Sequence, residues 1–338
     1  LSDFAPGSSS GLADVASGSF IIDGVSAGDQ AGFSVAGIAD LNGDGRGELL
    51  IGAPGMNNTA SKVDAGAAFV IWGPSSFAGG VDLADPFSGG GKGYAIKGEA
   101  AGDAAGYTVL SVGDMNGDGR ADMLVGAPGQ DAGGTDAGAA YVIWGKTTAS
   151  AVQLTNVAAG TGGFKINGLS AGDAVGTALG VLGDQNGDGK SEILIGVRDD
   201  NSAGSNAGAV YVVDGKATGA AVDLAQIALG NGGYKISGVA QDDAGAFVGN
   251  AGDLNGDGLD DILIGAPRSD SAYVVYGKAD NLAVDLADVR AGVGGFQIIA
   301  EAAGDLESLV LAGNVDLNGD GIDDLIIGAS GNDEDGSN

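Results

Sequence analysis

Asp40, Asp44 and Glu48 recur at intervals of four in "DLNGDGRGE" (40–48), with Asn42 between the first two. Four near-copies follow. The second carries Asp114, Asn116, Asp118 and Asp122; the third carries Asp184, Asn186, Asp188 and Glu192. The fourth has Asp253, Asn255, Asp257 and Asp261, and the fifth Asp316, Asn318, Asp320 and Asp324. Numbered from the first Asp, oxygen-bearing side chains fill positions 1, 3, 5 and 9. Alternate residues of a tight loop turn toward one centre, and Gly at position 6 (Gly45, Gly119, Gly189, Gly258, Gly321) admits the sharp bend. The backbone carbonyl of position 7, at Arg46, Arg120, Lys190, Leu259 and Ile322, adds another oxygen. About six oxygens suit Ca²⁺, whereas Zn²⁺ and copper favour nitrogen or sulfur and Mg²⁺ keeps more water. The expectation is about five Ca²⁺ per chain.

Two plainer readings compete. An EF-hand loop opens the same way but needs a Glu at position 12 and flanking helices. Position 12 here is Ile51, Val125, Ile195, Ile264 or Ile327, inside an aliphatic run, so position 9 must close the site. The other alternative is a bare hairpin turn, which "NGDG" would favour. A turn needs no acid at position 9, yet all five copies have one.

Composition narrows the function further. The formal charge is −31, from 14 basic and 45 acidic residues, which disfavours binding to nucleic acid or to an anionic membrane surface. Cys and His are absent, excluding disulfides, thiolate or imidazole metal sites, and Ser-His or Cys-His catalysis. No apolar run is long enough to insert in a membrane as a helix. Paired acids run glycoside hydrolysis in some enzymes, but these acids are the same in every unit and leave no pair to nominate. The chain is read as a non-enzyme.

The loops must be held by short strands. In the first unit these are strand A (31–40), strand B (48–54), strand C (66–73) and strand D (93–98), all β-branched or aromatic and bounded by turn residues. Strand B is apolar without alternation, so both its faces should be buried. "VDLAD" at 81–85 and 284–288 is long enough for one helical turn. Four-stranded units at this spacing point to an all-β fold, a β-propeller of antiparallel blades, over a linear solenoid. Residues 1–18 read as a linker and 19–338 as the propeller, with repeats around 25–98, 99–168, 169–238, 239–299 and 300–338. A lone D-type strand at 19–24 would finish the last blade of a ring. The last unit stops after strand B, which suggests that the natural domain continues.

The inner "GF" or "GY", the acid loop and the following "GAP" together resemble the FG-GAP repeat of integrin α-subunit propellers and their bacterial relatives. The resemblance covers about residues 19–330. It implies a calcium-bearing propeller, usually seven-bladed and extracellular, used in adhesion. Repeat three departs with Gly176-Thr177 and Val197-Arg198, and repeat five with Ser308 and Ser330. The expected partner is a protein or glycan ligand on the face opposite the calcium loops, or another copy of the chain. The alternatives are a building block of a surface layer or matrix, and a non-catalytic module of a secreted enzyme. Elsewhere Asp29, Asp103, Asp173, Asp242 and Asp305 read as turn caps between strands D and A, with Asp103 at the surface, rather than as a polar ring at one mouth of the propeller. Trp72 and Trp144 read as packing residues. "NNT" at 57–59 fits a glycosylation sequon.

Overall fold

The computed structural model describes residues 21–73, 81–84, 92–301 and 309–329. The expected linker 1–18, the start of the 19–24 strand, Asp305, Ser308 and Ser330 lie outside them. Four antiparallel A–B–C–D sheets follow one another. Blade 1 comprises Val35–Ile38, Glu48–Ala53, Ala67–Ile71 and Gly93–Lys97. Blade 2 comprises Val109–Gly113, Asp122–Ala127, Ala139–Ile143 and Gly163–Asn167. Blade 3 has Ala178–Val181, Ile193–Val197, Ala209–Val213 and Gly233–Ser237. Blade 4 has Phe247–Gly252, Asp261–Ala266, Ser271–Val275 and Gly295–Ile299. The fifth unit shows strands A (Leu309–Val315) and B (Asp324–Ala329). Strand A begins later than the sequence pattern places it, because residues 31–34 are a turn.

Each sheet packs face to face on the next. One apolar cluster joins Leu50, Val70 and Tyr94 of blade 1 to Met123, Val125 and Tyr141 of blade 2. Similar clusters join blades 2 and 3, and then 3 and 4. This sandwiching is why strand B is apolar without alternation: every residue of Asp122–Ala127 and of Asp261–Ala266 is buried. Consecutive A strands touch along the inner edge.

A second device, unseen in the sequence, joins neighbours at the outer edge. The connection from strand C to strand D crosses onto the preceding blade, where two residues pair in parallel with its strand D. Val152–Gln153 pairs with Ile96–Lys97, Val222–Asp223 with Ile166–Asn167, and Val284–Asp285 with Ile236–Ser237. Val81–Asp82 does the same to Ile22–Asp23. A short helix follows at Leu154–Ala158, Leu224–Ile227 and Leu286–Arg290. Asp223 and Asp285 cap two of these helices by accepting from the N–H of Ala225 and Ala287. Their apolar residues, Leu154 and Val157 for example, plug the seam between the two blades. The strap starts with a lysine whose Nζ lies over an aromatic ring of the preceding strand D. Lys146 lies 4.4 Å from the Tyr94 centroid, Lys216 4.4 Å from Phe164, and Lys278 4.1 Å from Tyr234.

Strand D starts on a glycine because another backbone passes against it. A Cβ on Gly163 (φ +149°) would sit 2.0 Å from the Val142 carbonyl oxygen, whereas one on its neighbour Gly162 (φ +76°) would meet open space. Gly163→Ala is expected to cost about 3 kcal/mol or more in denaturant unfolding, and Gly162→Ala only about 1 kcal/mol. Equal costs would show that backbone strain alone acts at both positions.

Candidate metal centre

All five acid loops are A–B connections, between the inner strand and the buried strand B. Their shared geometry comes from the first Asp. Asp40 Oδ1 accepts from Gly43 N (2.7 Å) and Asp44 N (3.2 Å), and its Oδ2 accepts from Gly45 N (2.7 Å). Asp114, Asp184, Asp253 and Asp316 make the same three bonds. These N–H donors, Gly45 foremost, hold the Asp40 carboxyl below its ordinary pKa; Asp253 and Asp316 are lowered likewise. Asn42 Oδ1 accepts from Asp44 N at 2.8 Å, so position 3 helps to bend the loop. Position 12 falls inside strand B in every unit, as the rejection of an EF-hand requires.

Position 9 behaves differently from the rest. It lies at the start of the strand-B ladder and is buried in the first four units: Glu48 2% exposed, Asp122 0%, Glu192 2% and Asp261 0%. Burial pushes Asp122 and Glu192 up to about 7 and Asp261 to about 6, and raises Glu48 as well. A buried acid beside two others, with few positive partners, is electrostatically strained, and the charge of a cation placed there would reverse those shifts. In loops one and three the three carboxylates converge: Asp40, Asp44 and Glu48, and again Asp184, Asp188 and Glu192, each bring oxygens within 4.8 Å of one another. Glu48 Oε1 is buried without a hydrogen-bond partner. A donor set of hard oxygens around an unsatisfied carboxylate fits Ca²⁺. Arg46 (3.3 Å), Arg120 (3.5 Å) and Lys190 (3.1 Å) pair with the position-5 acid of their own loops, while Leu259 and Ile322 leave theirs without that partner.

Two residues beside the loops escaped sequence reasoning. Asp260 Oδ2 accepts from Gly183 N (2.9 Å), and Asp323 Oδ2 accepts from Asp253 N (3.0 Å), so each position-8 Asp fastens the preceding unit's loop. The signal was the doubled "DD" of copies four and five.

At the opposite end of the blades, the long B–C loops clamp the next unit's D–A turn. Gly66 bridges to Ala105, Gly138 to Val175 and Gly208 to Ala244. A polar core lies there, at one register position. Tyr141 on strand C faces Lys165 on strand D, Tyr211 faces Lys235, and Tyr273 faces Gln297. Each tyrosine donates to an acid from a different place in the chain: Tyr141 to Glu99 (2.6 Å), Tyr211 to Asp200 (2.7 Å) and Tyr273 to Asp242 (2.6 Å). In blade 1 the matching pair is Phe69 and Ala95, both apolar.

Asp103, expected at the surface, is instead 2% exposed, with Oδ2 accepting from Ala100 N at 2.8 Å. Burial pushes its carboxyl up to about 6. A raised folded-state pKa means that its contribution to stability is complete below about 3.8 and is lost as pH rises through about 6. Asp103→Asn keeps the acceptor and removes the charge, so it should stabilise the chain at pH 8 by up to about 2 kcal/mol and change little near pH 4. Thermal melts of both proteins at the two pH values measure this; a stabilisation that is the same at both would refute it.

Stacked four-stranded blades with acid loops on one edge define a repeat protein of the β-propeller type. The FG-GAP repeat family matches residues 31–71, 105–143 and 244–284, and the chain has the FG-GAP, integrin-α-like repeat fold. It is 30% identical to integrin alpha pat-2 of Caenorhabditis elegans over 250 residues, 68% of this chain and 18% of that protein. Identity to integrin alpha-5 of Xenopus laevis is 26%, covering 73% of this chain and 21% of the relative. Mouse phosphatidylinositol-glycan-specific phospholipase D is 32% identical over 120 residues, 35% of this chain and 14% of its own. The chain thus spans about a fifth or less of the curated relatives it matches. Among the described residues no helix is long and apolar enough to cross a membrane.

Proposed function

We propose that the chain is an extracellular recognition module whose blades are held by calcium, binding a protein or glycan ligand on the face opposite the calcium loops. The observation that carries the metal half is the convergence of Asp40, Asp44 and Glu48 on a point where a buried carboxylate oxygen has no partner. Asp40, Asn42, Asp44, the Arg46 carbonyl and Glu48 would be the ligands in loop one, with the Asn42 amide turned to present its oxygen. The equivalent residues would serve in the other four loops. Similarity to integrin α-subunits supports an adhesive role and an extracellular setting. Variation supports the choice of face, since the calcium loops are alike while the B–C connections differ in composition. The first (54–66) and fourth (267–270) also differ in length from the second and third (128–138 and 198–208).

The test uses Thr59→Lys, Ala132→Lys and Ala203→Lys together, all at exposed tip positions that leave the clamps intact. Extracellular-matrix proteins and glycans are arrayed and probed with both forms. The variant is expected to keep its melting temperature and calcium content and to lose binding. Binding that survives these changes but disappears with Arg120→Glu beside a calcium loop would place the ligand on the other face. Calcium-dependent sedimentation of the chain alone would favour a surface-layer building block. The phospholipase relative keeps open a third role, as a non-catalytic module of an enzyme.

A further inference from the structure

The five loops are of two structural kinds, and the division follows the length of the position-9 side chain. Where position 9 is Glu, in units one and three, strand A pairs regularly with strand B up to the loop, Ile38 with Glu48 and Val181 with Ile193. Where it is Asp, in units two, four and five, strand A carries a β-bulge just before the loop. A left-handed residue marks each bulge: Gly113 (φ +66°), Gly252 (φ +75°) and Asn314 (φ +60°).

The two kinds commit their carboxylates differently. Asp122 is tied on both oxygens, Oδ2 accepting from Met115 N (3.0 Å) and Oδ1 from Gly145 N at the end of strand C (2.8 Å). Asp261 repeats this with Leu254 N (3.0 Å) and Gly277 N (2.8 Å). Asp324 binds Leu317 N and, more weakly, the Asn318 amide. The glutamates give only Oε2 to the backbone, to Leu41 N in one case and Gln185 N in the other, both at 2.7 Å. Glu192 Oε1 meets only the Asn186 amide, itself a candidate ligand, and Glu48 Oε1 meets nothing. Among the described residues only the glutamate loops gather all three carboxylates within 4.8 Å.

Resting on the calcium reading above, we infer that the chain has two classes of cation site: two preorganised, tight sites at the glutamate loops, and three weaker ones at the aspartate loops. In the second and fourth loops position 9 serves first as a tether from the loop to the end of strand C, and the fifth loop is classed with them by its Asp and its bulge. A cation there must share or displace a charged hydrogen bond already made, which sets the classes at least about tenfold apart in affinity.

The chain carries a reporter for each class. Its two tryptophans lie beside loop one and loop two: Trp72 precedes Gly73, which packs on Arg46 and Gly47, and Trp144 precedes Gly145, which binds Asp122. Tb³⁺, a luminescent stand-in for Ca²⁺, is titrated with excitation at the red edge of the tryptophan band, where tyrosine does not absorb, into Trp144→Phe, where Trp72 reports, and into Trp72→Phe, where Trp144 reports. Sensitised emission is expected to saturate at an at least tenfold lower Tb³⁺ concentration in the first variant than in the second. Equal midpoints, or the reverse order, overturn the inference and leave calcium binding standing. Calorimetric titration of the unaltered chain with Ca²⁺ tests the same division without substitution: two tight and three weak sites are expected, and one uniform class of five overturns it. No heat and no emission would overturn the calcium reading itself. Glu48→Asp, which shortens the side chain without supplying a bulge, should weaken the Trp72-reported site to or below the Trp144-reported one; an unchanged midpoint also counts against the inference.

Discussion

Excess EGTA is expected to lower the melting temperature of the chain by many degrees. At free Ca²⁺ about tenfold above the Kd of the weaker loops, each of those three adds about 1.4 kcal/mol by mass action and each of the two tighter loops about 2.7 kcal/mol, so five add about 10 kcal/mol. That is comparable to a typical net folding stability of about 5–15 kcal/mol. The loops give this energy a route into the fold, because position 9 is the start of strand B and lies among buried neighbours. The check is a pair of melts followed by circular dichroism, with and without chelator, alongside elemental analysis. An unchanged melt and no bound metal would leave the loops as simple turns.

Removing Lys235 should be among the most costly single changes. Its ammonium, on a residue only 8% exposed, lies 2.7 Å from Asp200 Oδ2 and 2.6 Å from Ser202 Oγ, beneath the Tyr211 ring. Lys235→Ala strands Asp200 in a buried position, at an expected cost of about 3–5 kcal/mol. Blade 1 suggests the compensating change, since Phe69 and Ala95 fill the same register with no charge. Asp200→Ala, Tyr211→Phe and Lys235→Ala together should therefore unfold less easily than Lys235→Ala alone. If the triple variant proves less stable than the single one, the buried pair contributes net stability beyond satisfying its own charges.

What was legible in the sequence was whatever repeats in register. The acid loops stand out because five copies place the same residue types at the same offsets, and strands B, C and D because each is a compact β-branched run between turn residues. The straps were hidden because a two-residue strand such as Val222–Asp223 is too short to show any period. Only the helical potential of "VDLAD" was visible, and it showed nothing of where the segment docks. The polar cores were hidden for another reason. Their tyrosines recur, but the acids that receive them come from a D–A turn at Glu99 and Asp242 and from a B–C loop at Asp200, so no fixed spacing links donor to acceptor. Asp103 was misplaced because a turn-capping acid looks the same in sequence whether the turn lies at the surface or under the next loop. The two kinds of loop were written plainly as Glu or Asp, but one methylene signals nothing until the bulge beside it is seen.

The straps make the unit of inheritance differ from the unit of folding. Each repeat sends its own C–D segment to complete its predecessor, and the mating parts are generic: a lysine, a Val and an acidic or amide residue on one side, an aromatic ring on the other. Unequal recombination that deletes or duplicates one whole period therefore joins a strap to a different but equivalent ring, and no seam has to be redesigned. A crossover out of phase would instead leave one blade doubly strapped or bare. Such an array can change its number of blades by whole periods while every surviving junction still fits.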